Sequence, residues 1–191
     1  MHRKPLLFLD FDHTLFDTEL FYEWLGEDRF EKILGIISGK IDPPDFSSYL
    51  YPDTLSFLNT ARKTHRLVLL TYSVNQMLQR RKVRDSGIVP LLDDVIISHR
   101  NKGLEAKEYI TRIGDSGLSA CRACGAVAGG ECGFVDDAPL NISDMKAENP
   151  DIRTFRIERK PRLEESFVGA PIEADIVVRD LNEVLVHLLS P

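Results

Sequence analysis

The 191-residue chain holds three cysteines, one tryptophan and no apolar stretch near the roughly 20 residues that span a bilayer. That last absence excludes a membrane-spanning helix. Cys121, Cys124 and Cys132 are odd in number, which argues against a disulfide framework and for a reducing compartment. Basic side chains are outnumbered, 24 against 30 acidic, for a formal net charge of -6. Such a balance speaks against a general nucleic-acid binder, which carries a basic face. Met1-His2-Arg3-Lys4 is basic, but the apolar run behind it stops at Asp10, too soon for a secretory core. The expectation is a cytoplasmic protein without a membrane partner. With 43% hydrophobic and 28% charged residues, the composition is that of a globular chain, long enough for one domain with a modest insertion.

Apolar, β-branched runs alternate with amphipathic stretches. Strands are predicted at Leu6 to Phe11, Arg66 to Thr71, Asp94 to Ser98, Gly133 to Asp136, Ile152 to Ile157 and Asp175 to Val178. Helices are predicted at Leu55 to Lys63, Val74 to Ser86, Gly103 to Ile113, Asn141 to Asn149 and Leu181 to Leu189. Strands separated by helices imply crossover connections and a sheet covered on both faces. The expected fold is a three-layer α/β, Rossmann-like architecture with a mostly parallel sheet. The stretch from Asp17 to Tyr51 has no strand signal. Glu19 to Ile37 has helical spacing of Leu20, Trp24, Leu25, Phe30, Ile33, Leu34 and Ile37, with Gly35, Gly39, Pro43 and Pro44 as breakers. It reads as a small helical cap at 17–51, inserted into a core of 1–16 and 52–191.

Chemistry collects at the strand ends. The first strand leads into Asp10-Phe11-Asp12-His13-Thr14, the second ends in Thr71-Tyr72-Ser73, and the fourth ends in Asp136-Asp137. Ligands of open parallel sheets bind outside the carboxyl ends of the strands. Two carboxylates two positions apart share a face of an extended strand. Like charges that close repel, unless a cation or a bound substrate offsets them. A divalent metal and a phosphoryl group account for that pair better than a surface loop does, because Leu9, Phe11, Leu15 and Phe16 around it call for burial.

In these motifs the chain resembles the haloacid dehalogenase-like hydrolase superfamily. Asp10-Phe11-Asp12-His13-Thr14 is similar to that family's Asp-x-Asp-x-Thr motif, and Leu67-Val68-Leu69-Leu70-Thr71 to its apolar strand ending in Thr or Ser. Lys102 matches the lysine at a helix start, and Phe134-Val135-Asp136-Asp137 the strand ending in paired acids. The resemblance implies a Mg²⁺-dependent phosphatase acting on a phosphorylated small molecule. Asp10 would be the nucleophile and Asp12 the general acid and base. Thr14, Thr71, Tyr72, Ser73 and Lys102 would hold the substrate. Asp10, the Asp12 carbonyl and Asp137 would ligate the metal, with Asp136 nearby. Dehalogenation is the rival enzyme reading, and a regulatory module on the same fold is the non-enzyme one.

Several residues stay open at this point. His13 stands where the family's commonest form has glycine, as a turn residue or a substrate contact. Lys107 is the alternative to Lys102. Asn141 is a partner for Asp137 or a helix cap. Cys121, Cys124 and Cys132 are ordinary thiols or part of a zinc site. Arg80-Arg81-Lys82-Val83-Arg84 and Arg159-Lys160-Pro161-Arg162 read as solvated basic faces.

Overall fold

Successive residues of an extended strand point to opposite faces, and the apolar residues here divide accordingly. Leu7 and Leu9 of β1 (Leu6–Leu9), with Leu67 and Leu69 of β2 (Arg66–Tyr72), enter one hydrophobic core. Leu6, Phe8, Val68 and Leu70 enter a second core on the other side of the sheet. The remaining strands are β3 (Asp94–Ser98), β4 (Gly133–Asp136), β5 (Arg153–Ile157) and β6 (Ile176–Val178). All six lie in one parallel sheet, in the order β3-β2-β1-β4-β5-β6. The computed structural model describes residues 4–115, 132–159 and 173–189.

Helices cover both faces, as the alternating pattern requires. The first core is closed by α3 (Thr54–Ala61), α4 (Gln76–Asp85) and α7 (Leu181–Leu189). The second is closed by α5 (Lys102–Asp115) through Ala106, Tyr109, Ile110 and Ile113, and by α6 (Pro139–Glu148) through Ile142 and Met145. The result is a three-layer, Rossmann-like α/β fold. Strand order reverses between β1 and β4, and the crevice at their carboxyl ends is the place such sheets reserve for ligands. No helix among the described residues is long and apolar enough to cross a membrane.

The segment 17–51 is helical but differs in detail from the single periodic stretch. Its helix breaks at Gly26, whose φ of 65° lies in the left-handed region, into α1 (Thr18–Leu25) and α2 (Arg29–Ile37). Gly35 does not break α2. It is buried within it, and a methyl group there would collide with the Ile41 side chain. A 3₁₀ turn at Phe46–Tyr49 follows. Phe21, Leu25, Ile36, Phe46 and Tyr49 join the first core, where Phe16 packs against the rings of Phe11, Phe21, Phe46 and Tyr49. The segment is therefore packed into the first core.

Arg159 departs from the reading of its basic run as a solvated face; residues 160–162 of that run lie outside the described residues. Its guanidinium stacks 4.0 Å from the Tyr51 ring centroid and donates to the Thr14 carbonyl from Nε at 3.0 Å and Nη2 at 2.8 Å. It also pairs with Asp53, at 3.0 Å from Nη1 to Oδ2. Asp53 Oδ2 in turn accepts the Leu181 backbone N–H at 2.8 Å, so one pair joins α3, α7 and the loop after β1. Only 9% and 11% of the two side chains are exposed, so removing the arginine strands a desolvated carboxylate. Arg159→Met is expected to cost about 3 kcal/mol of unfolding free energy in urea titrations, whereas Arg84→Met, in an exposed pair with Asp85, is expected to stay within about 0.5 kcal/mol.

Candidate active site

Register brings the acidic motifs together. Leu9 pairs with Val135, so Asp10 and Asp136 leave β1 and β4 side by side, and the Asp10 N–H still bonds the Val135 carbonyl at 2.9 Å. Both continue the face of Phe8 and Phe134, the face covered by α5 and α6. From α5 comes Lys102, the first residue of a helix whose start is capped by Asn101 Oδ1 accepting from the Leu104 N–H at 3.0 Å. Its ammonium donates to Asp10 Oδ1 at 2.5 Å and Asp136 Oδ2 at 2.7 Å, and only 2% of its side chain is exposed. Lys107, the alternative, lies on the surface against Glu148 at 3.0 Å. From α6 comes Asn141, which donates to both Asp136 oxygens at 3.0 and 3.1 Å. It is thus a partner of Asp136 and not a helix cap, the cap position of α6 being Ala138. The Ala138 N–H completes the set on Asp136 at 2.8 Å.

Asp10, Asp136 and Asp137 each offer a carboxylate oxygen, all within 4.8 Å of one another. The Lys102 ammonium is shared by two of these acids, Asp10 and Asp136, and the three carboxylates together could hold a metal ion. An all-oxygen donor set suits a hard cation such as Mg²⁺. Burial raises the Asp10 pKa well above the ordinary carboxylate value. Lys102 opposes that rise, and Asp136 and Asp137 add to it. For Lys102 burial favours the neutral amine, but Asp10 and Asp136 outweigh it and raise the pKa, so the side chain stays charged.

The loop after β1 is tight. His13 adopts φ 59°, the left-handed region that glycine enters without strain, and its N–H bonds the Phe16 carbonyl at 2.8 Å. Thr14 is fully buried, with Oγ1 among buried polar atoms that make no hydrogen bond. Thr71 continues the opposite face of β2, toward α4, and Gln79 Nε2 donates to its Oγ1 at 2.9 Å. Tyr72 is exposed at the rim, and the Ser73 N–H is committed to the Ser98 carbonyl at 3.0 Å.

Asp12 turns toward α4, and its surroundings were not evident in the sequence. Oδ1 accepts from Thr18 Oγ1 at 2.6 Å and from the Lys82 ammonium, and Oδ2 accepts from Gln79 Nε2 at 2.6 Å. Lys82 therefore departs from the solvated-face reading of its basic run. It is 4% exposed, with Nζ within 4.7 to 5.6 Å of the ring centroids of Phe11, Phe16 and Phe21. Helical spacing on α4 holds the signal in retrospect, since Leu78, Lys82 and the neighbouring Gln79 and Val83 form its buried side. Burial pushes the Asp12 carboxyl up, but the Lys82 charge and the bonds from Lys82, Thr18 and Gln79 prevail, so its pKa lies below the ordinary value.

Cys132 is disulfide-bonded, which corrects the reading of three free thiols, removes its support for a reducing compartment and takes a thiolate away from any zinc site. Cys121 and Cys124 lie outside the described residues.

No family model and no curated protein sequence matches the chain. Solved structures do. A haloacid dehalogenase-like hydrolase from Burkholderia xenovorans LB400 aligns with 99% of this chain and 100% of its own, at 17% identity and a TM-score of 0.72. The HAD-hydrolase YfnB from Bacillus subtilis, solved with magnesium, covers 98% and 100% at 18% identity and a TM-score of 0.60. A HAD phosphatase from Thermococcus onnurineus covers 97% and 98% at 18% identity and a TM-score of 0.58. Dehalogenases stand among the matches as well. The chain has the haloacid dehalogenase-like hydrolase fold.

The two lysines of α5 separate cleanly by burial. Lys102→Met is expected to lower unfolding free energy by about 3 kcal/mol or more, because two buried carboxylates lose their counter-charge. Lys107→Met is expected to change it by about 0.5 kcal/mol or less. Urea titration of both variants checks the contrast.

Proposed function

We propose that this protein is a Mg²⁺-dependent phosphatase that hydrolyses a phosphate monoester through an aspartyl-phosphate on Asp10. The observation that carries the reading is a buried nucleophile candidate, Asp10, paired with Lys102 and grouped with Asp136 and Asp137 at the strand-order reversal. Asp10 and Asp137, with the Asp12 carbonyl, are the ligands assigned to the cation. Asp136 serves as their brace, since its oxygens are taken by Lys102, Asn141 and Ala138. When bound, the cation offsets the charge of acid and phosphate so that anion can approach anion.

The remaining work falls to protein groups. An Asp10 oxygen attacks phosphorus as the ester P–O bond breaks, and Asp12, ionised in the free protein, takes a proton from the substrate's phosphate monoanion and passes it to the departing oxygen. Water then attacks the aspartyl-phosphate, Asp12 takes its proton, and Asp10 is restored. Thr71 Oγ1 accepts from Gln79, which leaves its own O–H to donate to a phosphoryl oxygen. Lys102 keeps Asp10 in place and lies close enough to steady charge that grows there. The segment 17–51 acts as a partial cap over the site, and the substrate expected is a phosphorylated small molecule.

Dehalogenation would use the same Asp10 on carbon, without a metal or a second acid. Asp12, held by three side chains, and the clustered acids of β4 favour the phosphoryl reading. Incubation with p-nitrophenyl phosphate is expected to release phosphate when Mg²⁺ is present and to stop when EDTA is added. Asp10→Asn is expected to lower kcat by at least about 10³-fold. Chloride release from a 2-chloroalkanoate without phosphate release from any ester, or full turnover by Asp10→Asn, overturns the proposal.

A further inference from the structure

The Lys82 ammonium has no place in the reaction just described, yet it is the most enclosed cation on α4 and lies against Asp12. Burying a lysine is costly unless it is paired and well surrounded. Lys82 meets that condition with one carboxylate, the Gln79 Oε1 at 3.2 Å and three phenylalanine rings. Gln79 cannot rotate freely, because Nε2 also bonds Thr71 Oγ1 at 2.9 Å. Thr18, at the first position of α1, holds the same Asp12 oxygen as Lys82. Three donors from two helices thus fix both oxygens of a side chain that is itself still 25% exposed, open on one side. Helix α4 is also tied to the end of α2, where Arg81 Nη1 donates to the Ile36 carbonyl at 2.5 Å.

We infer that Lys82 is a positioning residue for Asp12: with Gln79 and Thr18 it aims that carboxylate at the oxygen of the leaving group. The inference rests on the phosphatase reading, with Asp12 as the proton donor. Lys82 itself touches neither the acids grouped for the cation nor, in this reading, the phosphoryl group. Its loss therefore acts on protonation of the departing oxygen, and only esters whose leaving group needs a proton should feel it.

The test compares two esters under kcat/KM, which reads the transfer to Asp10 apart from later steps. One is p-nitrophenyl phosphate, whose leaving group departs without help. The other is a simple alkyl phosphate, whose alkoxide does not. General acid catalysis contributes about 10² to 10⁴-fold. Lys82→Met, which keeps the apolar stem within the phenylalanine cage, is expected to lower kcat/KM on the alkyl ester by about 30-fold or more and on the aryl ester by less than about 3-fold. In an Asp12→Asn background the same change is expected to add nothing on either ester. Thr18→Val removes one bond to Asp12 with little change of volume, and should give the same selectivity at smaller size even where Lys82→Met does not fold. Equal losses on both esters, or a further loss in the Asp12→Asn background, overturn the inference while the phosphatase reading stands. Absence of turnover by the parent protein on both esters removes that reading, and this inference with it.

Discussion

One ammonium between two strands organises the site. Lys102 lies at the seam where β1 and β4 part, bound to the last acid of each. Without it, Asp10 and Asp136 would face one another in a space closed to water, where repulsion and desolvation add. Asn141 and the Ala138 N–H extend the arrangement by filling the remaining acceptors of Asp136. Asp10, with Lys102 on Oδ1, keeps an oxygen for chemistry.

Two more cations act as pins on the loop between β1 and α1. Arg159 holds the Thr14 carbonyl from below, while Lys82 holds the Asp12 carboxylate from the side of α4. Between them His13 is kept at a positive φ that a histidine does not favour by itself. Phe11 and Phe16, stacked at 4.9 Å between ring centroids, give the loop its apolar floor. The nucleophile and the proposed proton donor, two residues apart in the chain, thus have separate supports, α5 for one and α4 for the other.

Most of the fold was legible because it depends on local pattern. Alternating apolar runs and helical stretches predict six strands and the helices between them, and strand ends such as Asp10, Thr71 and Asp136 stand out against their apolar neighbours. Boundaries were less legible. β1 ends at Leu9, short of the predicted Phe11, because the chain turns at His13. Gly35 was read as a breaker and Gly26 was passed over, since only backbone angle and the nearness of Ile41 distinguish a break from a close contact. The largest gap lies in the basic runs. Lys82 and Arg159 look like their solvated neighbours in sequence, and their partners Asp12, Thr14 and Asp53 lie between 70 and 145 positions away. Asn141 was left between a partner of Asp137 and a helix cap, and its bonds to Asp136 were not foreseen, because which of two adjacent carboxylates a helix meets is decided by strand parity.

The seam between β1 and β4 also has a kinetic side. Lys102 and Asp10 are 92 positions apart, and the pairing of Leu7 with Gly133 joins still more distant parts of the chain. Contacts that far apart close late, after local units have formed. β1, β2 and β3 can assemble with their crossover helices first, while the acids remain hydrated and cost nothing. The unfavourable step, drying Asp10 and Asp136 around one amine, then coincides with the arrival of β4.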